Sequence, residues 1–493
     1  MWTWPHWLPA IVAAPIVGGV LVPALAMRGR RWAPGWSLLV LSFTLLGALA
    51  LTLQVARGGP VSYDMGGWAR PYGIELRFDE VSAFALAIAL VGWLAVLFSF
   101  RYAPRAIPWE RLPYYYTLLL LNLGGMIGFV VTGDLFNLFV FLEVLSLSAY
   151  ALVAVSRGKV AGLASMKYLL MGAVSSVVVL LCVGILYSLT GSLNMADVAL
   201  RLAETSSPLP LALALGGFTA AFMVKAALFP LHTWLPDAHA AAPSPVSAIL
   251  SGLVVKMGII GLIRVLQIFH TSGGLDLGYL HLALMWLGAA SLIMGAVFAI
   301  VQEDLKQMLA YSTVSNVGYI VLGLGLASST AVSGALVHVL NHAVIKSCLF
   351  LAAGALILGT GQRTLTGLQG VGRTMPVTCV ALSIGILAII GVPPTGGFPG
   401  KWTMAVGAVE AGRPGFAVVL VLGALLLVIY YARIVNAFYF RPPAHPEVEG
   451  ARDGVPSILV PVLTLAALSL LAGILGRVPL EFVEPAAMRL VGP

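Results

Sequence analysis

The chain has 493 residues, 60% of them hydrophobic and 9% charged, with a formal net charge of +8 and a mean hydropathy of +1.00. Soluble domains carry about 25% charged residues, so this composition excludes a soluble enzyme and predicts an all-α polytopic membrane protein. The excess of arginine is scattered through short loops, a topology signal and not a nucleic-acid surface.

Apolar runs of about 20 residues cross the roughly 30 Å hydrocarbon core as helices, and about fourteen are predicted. The first two lie near Trp7–Met27 and Trp36–Ala56. The former has no basic n-region or small-residue cleavage site and reads as a span, not a signal peptide. Arg57–Glu80, polar and Gly/Pro-containing, predicts a small extramembrane hairpin. Spans three to six follow near Val81–Tyr102, Pro113–Thr132, Asp134–Ser156 and Ala164–Thr190, then a short amphipathic surface helix at Met195–Glu204. Spans seven and eight lie near Leu209–Ala241 and Pro245–Phe269, and nine to eleven near Leu277–Val301, Leu305–Leu326 and Val332–Leu358. The twelfth is near Val377–Ala408, and the last two near Phe416–Phe440 and Ser457–Leu475. Cys182, Cys348 and Cys379 sit in apolar segments without CxxC spacing and read as buried thiols.

Spans seven and twelve are interrupted. The Pro230 ring opposes the carbonyl of Ala226, predicting a break one turn after Lys225. Pro393 and Pro394 release the carbonyls of Ile389 and Ile390. Broken backbone and buried charge are tolerated together only where they line a polar cavity, and two such helices point to an inverted-repeat transporter. The predicted division is 1–112 (spans one to three with the hairpin), 113–270 (spans 4–8), 271–440 (spans 9–13) and 441–493 (span fourteen and tail). The two middle segments are predicted inverted five-helix repeats, with helices 7 and 12 broken. Loops after odd-numbered spans carry the excess of basic residues, among them Arg28, Arg30, Arg31, Arg101, Arg105, Arg157, Lys159 and Lys306. The positive-inside rule then places both termini outside the cytoplasm.

Four of the seven lysines, Lys225, Lys256, Lys346 and Lys401, fall well inside predicted spans, and Glu143 lies near the midpoint of span five. An ammonium at the bilayer centre costs roughly 3 kcal/mol on insertion scales. A lysine can be poised to lose and regain a proton, whereas arginine stays charged. Lysine at depth with arginine in loops therefore signals proton handling. The bland alternatives are a static ion pair for Lys225 and a cavity wall for Lys256. His338, His342 and Lys346, in steps of four, share one face about 6 Å apart per step, suited to a hydrated relay. Asn341 is the expected tautomer-holding neighbour of His342. A two-histidine metal site there lacks a carboxylate or thiolate in register. His232, Asp237 and His239 read either as a proton-uptake cluster or, for Asp237, as a cap of the second half-helix. Asp134, Glu303 and Asp304 read as helix-start caps. No nucleotide loop, nucleophile elbow, haem or iron–sulfur ligand set occurs, so no cofactor and no resident metal are expected.

Three motifs together resemble the antiporter-like family: Gly133-Asp-Leu-Phe-Asn-Leu-Phe-Val-Phe-Leu-Glu143, Lys225-Ala-Ala-Leu-Phe-Pro-Leu-His-Thr-Trp-Leu-Pro-Asp-Ala-His239, and His338-Val-Leu-Asn-His-Ala-Val-Ile-Lys346. That family includes proton-channel subunits of respiratory NADH:quinone oxidoreductase and large subunits of Mrp sodium/proton antiporters. The chain resembles the D-type branch of the Mrp proteins in its Gly397-Phe-Pro-Gly-Lys401 and its end soon after span fourteen. The resemblance implies that Glu143 pairs with Lys225, that Lys256, His338, His342 and Lys346 continue a hydrated axis, and that Lys401 exchanges the terminal proton. It implies a cell-membrane complex with subunits of Mrp A, B, C, E, F and G type, exchanging protons for Na+ or another monovalent cation. A pump module of a NADH dehydrogenase or membrane hydrogenase is the second reading, and an inorganic-carbon uptake module the third.

Overall fold

The structure is a computed structural model describing residues 4–29, 32–156, 158–205 and 207–491; Arg30, Arg31 and Arg157 of the orientation argument lie outside them. Helices α1 (Trp7–Arg28) and α2 (Trp32–Gly58) precede a two-stranded antiparallel hairpin, β1 (Val61–Asp64) with β2 (Glu75–Phe78). Then come α3 (Phe84–Ala106), α4 (Leu112–Val131), α5 (Leu135–Val153), α6 (Lys159–Thr190) and the short amphipathic α7 (Met195–Leu202). The first broken span is α8 (Pro208–Lys225) with α9 (Trp234–Ala241). Next, α10 (Ser244–Ile249) and α11 (Val255–Ser272) are joined by a π-helical turn, Leu250–Val254. They are followed by α12 (Gly278–Ile300), α13 (Leu305–Gly325) and α14 (Ser329–Thr360). After a short α15 (Val371–Thr374), the second broken span is α16 (Pro376–Ile390) with α17 (Gly397–Glu410). The chain finishes with α18 (Pro414–Val435), α19 (Pro446–Glu449), α20 (Pro456–Ile474) and α21 (Arg477–Val491).

Thirteen helices among the described residues are long and apolar enough to cross a membrane. The predicted twelfth span is the remaining crossing, divided into two pieces that are each too short. The hairpin and the surface helix form where expected. Two details differ. The first break begins at Lys225 itself, one turn earlier than the Pro230 ring requires, because Ala227 adopts a left-handed φ of 53°. The tail, left unassigned by the sequence, forms α21, which packs back on α14 and α11, and Arg489 pairs with Glu80.

The bundle contains two copies of one backbone device. Asp134 caps α5 by accepting from the Asn137 N–H at 2.7 Å, and Asp304 caps α13 by accepting from the Gln307 N–H at 3.0 Å. Each aspartate forms an antiparallel bridge, to Asn194 and to Thr364 respectively. Leu135 donates to the Leu193 carbonyl as Leu305 does to that of Arg363, and Met195 to Gly133 as Leu365 does to Glu303. Thr190 and Thr360, each followed by a left-handed glycine, close α6 and α14 through the same hydroxyl-to-carbonyl bond of 2.8 Å. All these pairs keep one constant sequence offset. They also lie at opposite ends of the bundle. Gln267 and Thr271, at the end of α11, line the same cavity as Thr132 and Met195 on the hairpin side. The chain then crosses once more in α12 before α13 begins. The fold is therefore two inverted copies, α5–α6–α8/α9 answered by α13–α14–α16/α17.

One buried ion pair ties the copies' frame to the hairpin. Arg264 of α11 donates to both carboxylate oxygens of Asp79, at 2.7 and 2.9 Å, and to the Ser82 hydroxyl at 2.8 Å. Burial alone would raise the Asp79 carboxyl, but the guanidinium and the Ser82 N–H hold it well below the usual carboxylate range. Its contribution is thus present above about pH 3.9 and is lost only as pH falls through the depressed value. Arg264→Met strands a buried carboxylate, at a cost of about 3–5 kcal/mol. The unpaired Asp79 then takes up a proton more readily. The melting temperature of the purified complex should fall at neutral pH and partly recover on acidification; an unchanged melting curve contradicts this.

Candidate functional site

Every buried lysine named from the sequence ends on a hydrogen-bond acceptor, and among the described residues none of the four forms an ion pair. Lys225, the last residue of α8, donates to the Ser146 hydroxyl at 2.9 Å and the Tyr150 hydroxyl at 3.2 Å, both on α5. Glu143 lies on the same helix, one and two turns before these residues. Its field reaches Lys225 without an ion pair between them; its buried Oε1 has no hydrogen-bond partner. Gly172 makes room for Tyr150, since a Cβ there would sit 1.8 Å from the phenol oxygen. Beyond the break, Trp234 Nε1 donates to the Val224 carbonyl at 2.9 Å, and the Phe229 N–H donates to Ser291 at 3.2 Å. The broken backbone is satisfied by side chains rather than by helix.

The next station is α11. The π-helical turn frees the Ser251 carbonyl, which accepts from the fully buried Lys256. The Ser251 hydroxyl lies 2.7 Å from that of Thr313 on α13. Lys346 of α14 donates to the Leu309 carbonyl at 2.8 Å and to the Ser312 hydroxyl, and Ser312 also lies 2.9 Å from the Tyr431 hydroxyl. Asn316, one turn on, donates to the Ser312 carbonyl at 2.8 Å and places its Oδ1 3.2 Å from His338 Nε2. His338 and His342 have ring centroids 5.7 Å apart, and both His342 nitrogens are buried without a partner. Lys401 sits 4.2 Å over the Tyr319 ring, a cation–π contact, and donates to the Ile389 and Ile390 carbonyls at 2.6 and 3.3 Å. These are the two carbonyls that Pro393 and Pro394 were expected to release.

The three residues around the first break do not form one cluster. Asp237 pairs with Lys167 of α6 at 2.8 Å near the surface, and the Thr233 position before α9 makes no side-chain cap. His232 packs among Phe229, Phe298 and Tyr311. His239 is fully buried, stacked 4.7 Å from Phe350, within the field of Lys306, Lys346 and Lys256. Asn341 bonds the Gly396 carbonyl of the second break and does not hold His342. The histidine partner on this row is Asn316, which meets His338 instead.

Sequence reasoning missed α13 as the spine of the row. Ser312, Asn316 and Tyr319 share one of its faces, with Thr313 beside them, and the signal was legible as Tyr311-Ser-Thr-Val-Ser-Asn316, a polar run inside an apolar span. Lys306, counted as a loop charge, is 4% exposed and donates to the Ala242 carbonyl at 2.5 Å, closing the end of α9. Arg264 was passed over because the other arginines lie near span ends.

The arrangement is a set of buried lysines, hydroxyls, amides and imidazoles linked by hydrogen bonds across α11, α13 and α14. The NADH:quinone oxidoreductase/Mrp antiporter transmembrane family matches residues 132–427. The chain is similar to NADH-quinone oxidoreductase subunit N of Desulforudis audaxviator, 40% identical over 431 residues and 85% of each chain. It is similar to the D subunit of the Na(+)/H(+) antiporter of Alkalihalophilus pseudofirmus, 31% identical over 451 residues, 91% of this chain and 90% of that one. In structure it resembles a chain of the membrane-bound sulfane sulfur reductase, an archaeal respiratory membrane complex, with a TM-score of 0.91, 32% identity and coverage of 98% and 97%. It also resembles a chain of the Mrp complex from a Dietzia species, with a TM-score of 0.90, 26% identity and coverage of 100% and 98%.

Asn316→Leu keeps the volume of α13 but leaves His338 Nε2 buried without an acceptor, a loss of about 1–3 kcal/mol. The purified complex should melt at lower temperature and move protons more slowly. Wild-type melting together with wild-type flux would remove Asn316 from the row.

Proposed function

Because the chain belongs to the NADH:quinone oxidoreductase/Mrp antiporter transmembrane family, we propose that it is the proton-translocating subunit of a multisubunit monovalent cation/proton antiporter. Protons move along Glu143, Lys225, Lys256, His338, His342, Lys346 and Lys401. The observation that carries this reading is the row itself: fully or nearly buried lysines joined by serine, threonine, asparagine and histidine across α13. The residues 113–270 and 271–440 serve as two half-channels, with 1–112 and 441–493 framing them. His239 belongs with the inner row and joins the first half to it, while His232 and Asp237 flank the uptake side. Glu143 sets the proton affinity of Lys225 through space.

The chain is a multi-pass membrane protein, and its similar proteins are subunits of larger membrane assemblies. Its partners are the other membrane subunits of the antiporter, with both termini on the extracytoplasmic side. The predicted spans hold no cluster of carboxylates, and we assign the Na+ path to an interface with another subunit. A second reading, a pump module of a redox complex, is favoured by the 40% identity to the subunit N protein and by the likeness to the sulfur reductase. In that case the driving chemistry belongs to partner subunits, and copurifying iron–sulfur or flavin proteins would decide for it. The lysine row does the same work under either reading.

Lys225→Ala and Glu143→Ala should each abolish Na+-driven pH change in vesicles containing the assembled complex, with subunit composition unchanged. Wild-type exchange by either assembled variant would sink the role assigned to that residue.

A further inference from the structure

A pair of histidines lies outside the row. His270, in the last turn of α11, and His281, in the first turn of α12, face each other across the loop that joins these helices. Their Nε2 atoms are 3.2 Å apart, with ring centroids separated by 5.2 Å and planes inclined by 35°. Both rings are half-buried beside an exposed loop, so an ion can reach them from the hairpin side. Lys256 lies almost four turns back along α11, and none of the relay contacts uses either histidine.

The separation is the telling quantity. A tetrahedral zinc ion with Zn–N bonds of about 2.0–2.1 Å holds two imidazole nitrogens about 3.3–3.4 Å apart. The rings therefore stand at chelating distance before any ion arrives. Without metal, one Nε2–H donates to the other Nε2; on binding, the donor ring passes its Nε2 proton to water and takes one up at Nδ1, so that both neutral rings turn an Nε2 lone pair to the ion. His281 Nδ1 is buried without a hydrogen-bond partner, so Nε2 is the nitrogen this ring presents to an ion. Among the described residues no third His, Cys, Asp or Glu joins the pair. Water would complete the coordination. Nitrogen donors select zinc-like ions over Na+, Mg2+ and Ca2+.

We propose that His270 and His281 form a divalent transition-metal site of the Zn2+ class that staples α11 to α12, the helices on either side of the boundary between the two inverted copies. The site stands apart from the proton row and holds under either reading of the function. The test uses the assembled complex carrying no polyhistidine tag, stripped with chelator and titrated with ZnCl2 against a chromophoric competitor. Wild type should take up one more Zn2+ per chain than H281A, and zinc should raise the melting temperature of wild type but not of H281A. H281C restores a zinc ligand and should keep the ion, whereas H270Q, which preserves volume and hydrogen bonding, should lose it. Equal zinc uptake by wild type, H270Q and H281A overturns the proposal, as does a wild type that binds none.

Discussion

An ammonium buried without a carboxylate must find its partners among neutral dipoles, and most of this structure follows from that constraint. A regular helix has already committed its carbonyls, so acceptors have to come from places where helices fail. Lys401 takes the two carbonyls released by the proline pair, Lys256 takes one beside the π-helical turn, and Lys306 takes one at the end of α9. Lys225 stands at a helix end and uses two hydroxyls of α5. The breaks are therefore part of the charge arrangement. The same glycines that let helices approach closely bring these stations together: a Cβ on Gly258 would meet the Ala226 nitrogen at 2.4 Å, and one on Gly252 the Ser347 hydroxyl at 2.2 Å.

This mode of holding charge suits transfer. A lysine locked to a buried carboxylate cannot lose its proton without stranding a negative charge in a low-dielectric interior. A lysine held by carbonyls and hydroxyls still donates hydrogen bonds as a neutral amine, so both protonation states are accommodated. Hydroxyls and imidazoles between the lysines donate and accept in turn. Among the described residues Glu143 is the carboxylate whose field reaches Lys225, and it forms no ion pair with it. The Asp79–Arg264 pair is the contrast within the same molecule: buried and bidentate, it fixes structure.

Much of this was legible in the residues. Span positions followed from apolar run length, and the buried lysines declared themselves by their cost. Pro393 and Pro394 identified in advance which carbonyls would be free. The caps at Asp134 and Asp304 were legible as well, and the two broken spans pointed to inverted repeats. The matched bridges to Asn194 and Thr364, which align the copies residue by residue, were not legible, because those hydrogen bonds are backbone geometry with almost no side-chain signature. Hydroxyl and amide side chains on α13 escaped notice since serine and threonine are common in membrane helices, where they bond their own backbone. Their role emerges once α14 and α11 place lysines against them. His232, Asp237 and His239 look like one cluster in sequence, yet the break and the turn of α9 point them to three different surroundings.

The central claim is that the buried lysines work by releasing protons and not merely by carrying charge. Lys401→Arg separates these two properties, since arginine can still donate to the Ile389 and Ile390 carbonyls and cover Tyr319 but stays protonated. Proton flux should be measured in proteoliposomes holding the assembled variant complex beside wild type. The account predicts intact assembly with flux reduced to the leak of empty liposomes. Wild-type flux through the arginine variant would contradict it.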